Sequence, residues 1–356
     1  MESASQPIHA TSGLRFDSGT GALPGWATWA VLGGSAALAA AILLATGAFT
    51  VALTLVFGTL LSALVLYSWS RAVEGPRRAL DRVMTLSIAA AFGLAMIPLF
   101  SLVFEVVKRG APGLSLEFFT EDARGQVGGG GAAHAIAGTL IITAVAAAIS
   151  VPIGIMAAIY LNEYGTGRLR RALTFFVDVM TGIPSIVAGL FAYALFELFL
   201  GPGIRLGVMG SAALSLLMIP IVIRSAEEVL KIVPGHLREA AYALGTPKWK
   251  VISKIVLPTA FAGLVTGVMI AIARIVGETA PLLVTTGVVD SMNTDPFNGR
   301  MQNLAVYAYN EYRSPGVMKQ AAYDKAWAAA LTLIAIVMVL NVAARLLYRR
   351  YRTEIR

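Results

Sequence analysis

Apolar stretches of about 20 residues, the length a helix needs to cross a bilayer, alternate along the chain with short polar segments. The polar segments are rich in arginine and lysine, and they divide the apolar residues into eight separate stretches. The pattern predicts eight membrane-spanning helices, at approximately 26–46, 50–69, 84–107, 135–161, 176–199, 208–223, 259–287 and 326–347. We therefore expect an all-α, polytopic membrane protein.

The composition agrees with a membrane protein and excludes several other classes. Hydrophobic residues make up 57% of the chain and charged residues only 13%, whereas a soluble domain carries about 25% charged residues. The net charge of +8 does not indicate nucleic-acid binding, because the basic residues lie in short loops between apolar stretches. The absence of cysteine excludes disulfides, thiolate metal sites and a cysteine nucleophile.

The distribution of basic residues predicts the orientation in the membrane. The segments 70–83, 162–175 and 224–258 and the C-terminus hold most of the arginine and lysine residues between the stretches. Positively charged loops remain in the cytoplasm, and eight spans with both ends inside place all four of these segments there. Residues 1–25 are polar and predict a disordered cytoplasmic N-terminus.

The loop 224–258 is predicted to contain a short amphipathic helix. Four of its apolar residues recur at helical spacing and predict one narrow stripe, namely Leu237, Ala240, Ala241 and Leu244. Gly245 is expected to end this helix, since glycine adopts positive φ easily. Thr246 and Pro247 are expected to begin a second helix. Such a stripe suits docking on a partner protein, and the alternative is a helix that lies on the bilayer surface.

Two charged residues fall inside the predicted span 259–287. Arg274 and Glu278 are four positions apart, so a continuous helix would place them on one face, where they could pair. Charges at this depth usually face protein or a water-filled path. We consider two roles, a buried pair that fixes helix packing and a path for an anion that displaces Glu278 from Arg274.

Arg224, at the inner end of the span 208–223, is a further candidate for the anion path. The alternative is a basic anchor that reaches the lipid headgroups. The segment Gly182–Ser185 is the predicted break in the span 176–199, because Pro184 interrupts helical hydrogen bonding there. A simple packing kink is the alternative at that position.

Several motifs together resemble the PstA-type permease subunit of bacterial phosphate ABC importers. The motifs are Val151–Gly165, Gly182–Tyr193, Pro220–Arg224, Leu237–Lys250 and Ala271–Leu283. The pattern E-A-A-x3-G-x9-I-x-L-P, which begins at Glu239, resembles the ATPase-docking loop of ABC importers in general. The GETAPLL sequence within the last motif is what points to phosphate. The resemblance covers roughly residues 84–350.

The resemblance implies a type I permease core of six helices over 84–350, with an extra two-helix hairpin at 26–70. It implies that this chain forms half of a path for inorganic phosphate in the bacterial cytoplasmic (inner) membrane. By the same resemblance, Arg224, Arg274 and Glu278 match positions of the transport path. The implied ATPase-coupling residues are Leu237, Glu239, Ala240, Ala241, Leu244 and Gly245.

The resemblance also implies three kinds of partner. They are a homologous permease of the PstC type, a dimer of ATP-binding subunits of the PstB type and an extracytoplasmic phosphate-binding protein of the PstS type. The sequence has no G-x-x-x-x-G-K-[ST] phosphate loop, so this chain is not expected to be an enzyme or to carry a cofactor. ATP and Mg would be bound by the ATPase partner.

Two alternative functions stay open from the sequence. One is a permease for another oxyanion, such as molybdate or sulfate. The other is a secondary transporter that needs no ATPase. A membrane enzyme is poorly supported, because the charges inside the spans form no acid/base or nucleophile–base arrangement.

Overall fold

The computed structural model describes residues 21–124 and 130–352, and within them all regular structure is helical. Residues 1–20 of the predicted disordered N-terminus lie outside the described part of the chain. In chain order the α-helices are α1 (Ala27–Ala45), α2 (Val51–Val73), α3 (Pro76–Gly110), α4 (Leu116–Thr120), α5 (Ala133–Ile159), α6 (Gly167–Thr181), α7 (Ser185–Leu200), α8 (Gly207–Ile232), α9 (Gly235–Ala243), α10 (Lys248–Val251), α11 (Leu257–Val276), α12 (Ala280–Thr285), α13 (Leu304–Arg313) and α14 (Lys319–Arg352).

Seven helical segments in the described residues are long and apolar enough to cross a membrane, and a bent pair raises the number to eight. The bent pair is α6 with α7, which meet at an angle of 108°. The break between them contains Gly182 and Pro184, so the predicted interruption at Gly182–Ser185 is confirmed. The predicted eight spans correspond to the seven long segments together with this pair.

Two predicted span boundaries are wrong. The span expected at 208–223 continues as α8 to Ile232, because the helical pattern runs on through the charged residues of the next turns. The span expected at 259–287 is not one helix. It begins before Leu257 through a π-helical turn at Ile252–Val256, and it ends at Val276. The shorter α12 follows after a three-residue interruption.

Contacts divide the chain into two compact units, residues 1–102 and 103–356. In the first unit, α1 and α2 form the hairpin that the sequence predicted, joined by a turn in which Gly47 has a φ of +69°. A Cβ atom on Gly58 would lie 3.2 Å from Ala36 Cα, so a small residue permits this close approach. Val31, Leu66 and Leu86 form the core of the unit.

A buried carboxylate, that of Glu74, lies at the end of the hairpin formed by α1 and α2. Glu74 follows α2 and accepts hydrogen bonds from Arg82 Nε at 2.7 Å, Ser70 Oγ at 2.6 Å and the Leu23 backbone N–H at 2.8 Å. These donors, with Arg82 the largest contribution, lower the pKa of Glu74 from 4.5 to about 2 against the opposing effect of burial. The ion pair therefore stabilises the folded unit only while Glu74 is ionised.

We expect Glu74→Gln to lower the Tm of the detergent-solubilised protein at pH 7. A carboxyl whose pKa is depressed on folding stabilises the fold above its unfolded value, and this contribution is lost as the pH falls from about 4.5 toward 2. The difference in Tm between wild type and variant should therefore shrink over that interval. Asp81→Asn, which changes an exposed neighbouring carboxylate, is the matched control. Equal Tm values at pH 7 would contradict the role of the pair.

In the second unit, α8 is the central helix. Within its most apolar window 61% of the residues are buried, against at most 28% in the other spanning helices described. It packs closely on α5, where Ser211 Oγ donates to the Ile142 carbonyl at 3.1 Å. A Cβ atom on Gly154 would lie 2.6 Å from Val222 Cγ1, so glycine is required for this spacing. Small residues and hydroxyl groups are typical of helix contacts inside membranes.

The antiparallel packing of α11 and α12 on α8 fixes the relative height of their residues. Cβ atoms built on Gly263 and Gly267 would meet Val229 and Ser225, and one on Gly210 would meet Leu282 and Thr286. Three of these pairs, Gly263–Val229, Gly267–Ser225 and Gly210–Leu282, share one register, in which one residue of α8 is lost for each residue gained in α11 and α12. By that register Arg274 is level with Met218, near the middle of α8.

Candidate transport site and docking surface

Arg274 lies in the last turn of α11, and its side chain is exposed in the isolated chain. None of the ion pairs among the described side chains includes it. A guanidinium at mid-height in a membrane must face water or protein, because exposure to lipid is unfavourable by at least about 2.5 kcal/mol. Arg274 therefore marks a surface of the second unit that is covered by protein or lined with water.

The predicted pairing of Arg274 with Glu278 is wrong. The helix ends at Val276, and Gly277 is its C-cap residue, so the two side chains do not share a helix face. No ion pair joins them in the described part of the chain. Glu278 lies in the interruption, where its N–H donates to the Ile275 carbonyl at 3.1 Å and its carbonyl accepts from Asn303 Nδ2 at 3.4 Å.

The interruption itself places polar backbone groups near the middle of the bundle. The last carbonyl groups of α11 point toward Gly277–Thr279, and a cation in the last turn of a helix is stabilised by the negative end of the helix dipole. Non-helical backbone at this depth requires protein or water around it. Arg274 and the broken backbone thus form one polar site at mid-height, close to the level of Leu214 and Met218.

Arg224, by contrast, is held by two carboxylates. It forms an ion pair with Asp178 of α6 and another with Glu227, at 3.0 Å, one turn further along α8. Glu227 also accepts from Lys231 Nζ at 2.9 Å. The four charges form a chain of ion pairs that joins the end of α6, just before the 108° bend, to α8. Arg224 lies six residues beyond the level of Arg274, about 9 Å along the axis.

The role of Asp178 as a partner of Arg224 could not be found from the sequence. The two residues are 46 positions apart, and their contact depends on the sharp bend after α6. The available signal was an acidic residue close to the predicted break, in a helix with three arginine residues in its first turns. That signal indicates a charged surface but does not select a partner.

The predicted amphipathic helix in the loop is α9, and Gly245 ends it with a φ of +72°, as expected. The predicted stripe does not form one docking face. Ala241 is buried in the hydrophobic core and Leu237 is half-buried, whereas Ala240 is exposed and Leu244 is 85% exposed. The reason is that α9 uses one side of the stripe to pack on its own chain, which leaves the other side open.

The open side continues into the following segment. Leu244, Tyr242 and Trp249 are large apolar or aromatic residues that are exposed on one loop, and Glu239 adds an exposed carboxylate. The second helix begins differently from the prediction. Pro247 is its N-cap residue rather than its first residue, and no side chain caps it. The short α10 then continues through the π-helical turn into α11 without a break, so the loop and the span are one stiff element.

A buried ion pair fastens α9 to the π-helical turn Tyr160–Tyr164, which follows α5 directly. Arg238 donates to Glu163 Oε1 at 2.9 Å, and the two side chains are only 18% and 7% exposed. The same guanidinium donates to the carbonyls of Val233 at 2.7 Å and Leu230 at 3.0 Å. Lys248 also donates to the Glu163 carbonyl. Arg238 and Glu163 are 75 positions apart, so this partner could not be found from the sequence.

In the described residues no group of three or more His, Asp or Glu side chains could hold a metal ion. The polar chemistry of the second unit is therefore that of arginine guanidinium groups, carboxylates and exposed helix ends. Guanidinium groups form charge-assisted hydrogen bonds with carboxylate and phosphate anions.

Comparisons with known proteins agree with this chemistry. Residues 150–354 match the family described as binding-protein-dependent transport system inner membrane component. The chain is 45% identical over 275 residues to the phosphate transport system permease protein PstA 1 of Mycobacterium tuberculosis, which covers 76% of this chain and 89% of the relative. It is 41% identical over 280 residues to PstA of Yersinia pestis, covering 77% and 92%.

A solved structure supports the fold. The chain resembles a subunit in the crystal structure of a bacterial alginate ABC transporter, with a TM-score of 0.56 at 15% identity, over 79% of this chain and 98% of that one. At this identity the likeness concerns the fold alone. The fold prediction of an all-helical ABC importer permease is confirmed, and the chain belongs to the family of binding-protein-dependent transport system inner membrane components, together with the PstA permease proteins.

Proposed function

We propose that this chain is a permease subunit of an ATP-driven importer of inorganic phosphate and forms half of its translocation path. The observation that carries the proposal is Arg274, an unpaired guanidinium at mid-height beside a broken helix. The relatives that are named phosphate permeases support phosphate as the solute. A phosphate mono- or dianion needs a cation partner at this depth, and the partner must also release it.

The absence of an Arg274–Glu278 pair changes how the site would work. Arg274 does not have to be displaced from a carboxylate before it binds an anion, so an incoming phosphate would meet an available charge. Glu278 would act nearby as a negative group that limits how long the anion stays. Arg224 would contribute at a later stage, after Asp178 has moved away from it, because in the present arrangement both of its carboxylate partners are engaged.

The same proposal assigns the orientation and the partners. Both ends of the chain would lie in the cytoplasm, and the protein would reside in the bacterial cytoplasmic membrane. The loop 224–258 would dock on a separate ATPase dimer, with Leu237, Glu239, Ala240, Ala241, Leu244 and Gly245 at or next to the contact. A second, homologous permease would cover the Arg274 surface, and an extracytoplasmic phosphate-binding protein would deliver the solute.

Reconstitution tests this proposal. The chain is assembled with its partner permease, its ATPase and its binding protein in liposomes, and uptake of radiolabelled phosphate is followed with and without ATP. We expect uptake that requires ATP and is not inhibited by a tenfold excess of molybdate or sulfate. Uptake without ATP would indicate a secondary transporter, and stronger competition by either oxyanion would indicate another solute.

A further inference from the structure

Two further arginines, Arg205 and Arg300, lie at the Gly207 end of α8. A Cβ atom built on Gly287 would lie 2.9 Å from Arg205 Cδ and 3.2 Å from Arg300 Cδ. The two side chains therefore pass the same backbone position, Gly287, at the level of their Cδ atoms. Neither arginine takes part in an ion pair within the described residues. Two cationic side chains that pass one backbone position, neither of them in an ion pair, could share a single anion.

The backbone around this pair is well fixed. Asn293 Nδ2 donates to the carbonyls of Asn298, at 2.8 Å, and Arg300, at 2.9 Å. The Val208 N–H donates to the Pro296 carbonyl at 2.7 Å, which ties this loop to the first turn of α8. Asp295, the nearest carboxylate in the loop sequence, accepts from the Phe297 N–H at 2.9 Å within its own turn. These hydrogen bonds fix the position of the backbone at Arg300.

The backbone conformation at position 287 favours glycine. Its φ of +74° is unfavourable for other residues, and the absence of a side chain leaves room for those of Arg205 and Arg300. Gly287 also lies level with Arg205 in the register that relates α12 to α8, and α12 leads back from it to the interruption at Glu278. The arginine pair is therefore at the same end of the bundle to which the broken helix points, about 20 Å along α8 from the level of Arg274.

We propose that Arg205 and Arg300 form a receiving site for phosphate, at the mouth of the path that leads to Arg274. This inference rests on the proposed function and adds a binding step to it. Two guanidinium groups offer planar pairs of donors that match the oxygens of a single tetrahedral oxyanion. A phosphate released at this end binds here first and is then drawn to Arg274, while the exposed position of Arg300 keeps the binding weak enough for onward transfer.

The test uses the complete transporter with inorganic phosphate and saturating, phosphate-loaded binding protein. Arg205→Gln combined with Arg300→Gln should lower the rate of phosphate uptake about tenfold, as expected when charge-assisted hydrogen bonds to the anion are lost. The corresponding double lysine variant should retain most of the rate. Arg313→Gln, which changes an exposed arginine at the end of α13 that contacts Tyr309, is the matched control and should transport normally.

Docking of the binding protein is measured in parallel by the fluorescence of a labelled copy. We expect its affinity to be unchanged in the double glutamine variant. A normal uptake rate in that variant overturns the receiving site, and so does a loss that is explained by weaker docking. If the double variant does not assemble, Arg300→Gln alone replaces it, and a normal rate again overturns the proposal. Failure of the wild-type complex to import phosphate would instead refute the proposed function.

Discussion

Arg274→Gln is expected to lower ATP-driven phosphate uptake by about ten- to a hundredfold while the complex still assembles. A hydrogen bond to a charged group contributes about 1.5–3 kcal/mol, and each 1.4 kcal/mol corresponds to about a factor of ten in rate. Glutamine keeps a similar length and some hydrogen-bonding capacity but removes the charge that the anion needs at this depth. The measurement is the initial rate of radiolabelled phosphate uptake into liposomes, normalised to the amount of assembled complex.

Two comparison variants make this result specific. Arg313→Gln removes an exposed positive charge at the end of α13, outside the loop 224–258, and should leave uptake nearly unchanged. Arg274→Lys keeps the charge but not the planar donor pair, so we expect an intermediate rate. Uptake by Arg274→Gln within a factor of two of wild type would contradict a role for Arg274 in the path.

The features that the sequence predicted well are those that depend on local pattern. Span positions follow from the length of the apolar stretches, because a bilayer imposes that length. The break before α7 and the end of α9 follow from Pro184 and Gly245, whose backbone preferences act within one turn. None of these predictions requires knowledge of which distant segments touch.

The break in α11 was missed, although a local signal was present. Pro281 lacks an N–H, and its ring would clash with the carbonyl of Gly277, four residues earlier, in a continuous helix. The interruption at Gly277–Thr279 is the direct result. The apolar character of the stretch continues across it, so a hydropathy window reads through a break that backbone chemistry enforces. The incorrect Arg274–Glu278 pairing followed from that assumption of continuity.

Contacts between distant segments were out of reach for a different reason. The ion pairs Arg224–Asp178 and Arg238–Glu163 join residues 46 and 75 positions apart. A basic residue near the end of a span has many acidic residues within the length of the chain, and only the packed helices select one. The sequence therefore singled out Arg224 and Arg274 but could not show that the first has carboxylate partners and the second has no ion pair among the described side chains.

The second large effect is expected at the fastening of the docking loop. Arg238→Ala should abolish most phosphate uptake while basal ATP hydrolysis by the assembled complex continues. Removal of the guanidinium leaves Glu163 nearly buried with Asn162 Nδ2, at 2.8 Å, as its remaining side-chain donor. Loss of one partner of a buried ion pair is destabilising by about 3 kcal/mol. The loop could then move with the ATPase while the segment that follows α5, which contains Glu163, stays in place.

The measurement compares uptake with ATP hydrolysis stimulated by loaded binding protein, in the same liposomes. In Arg238→Ala we expect the number of phosphate ions imported per ATP hydrolysed to fall at least about tenfold, since a displacement transmitted through a loosened contact is largely lost. Arg168→Ala changes an exposed arginine just beyond Glu163 and is the matched control. If Arg238→Ala imports a normal number of phosphate ions per ATP hydrolysed, the movement of the loop is transmitted through other contacts.

A double variant identifies the contact itself. If Arg238 acts through Glu163, then adding Glu163→Gln to Arg238→Ala should reduce coupling little further, because residues that act as one unit are not additive. If the two losses multiply instead, Arg238 acts mainly through the carbonyls of Leu230 and Val233, and the end of α8 rather than α5 receives the movement of the loop. Either result assigns the helix through which the docking surface reaches the polar site at Arg274.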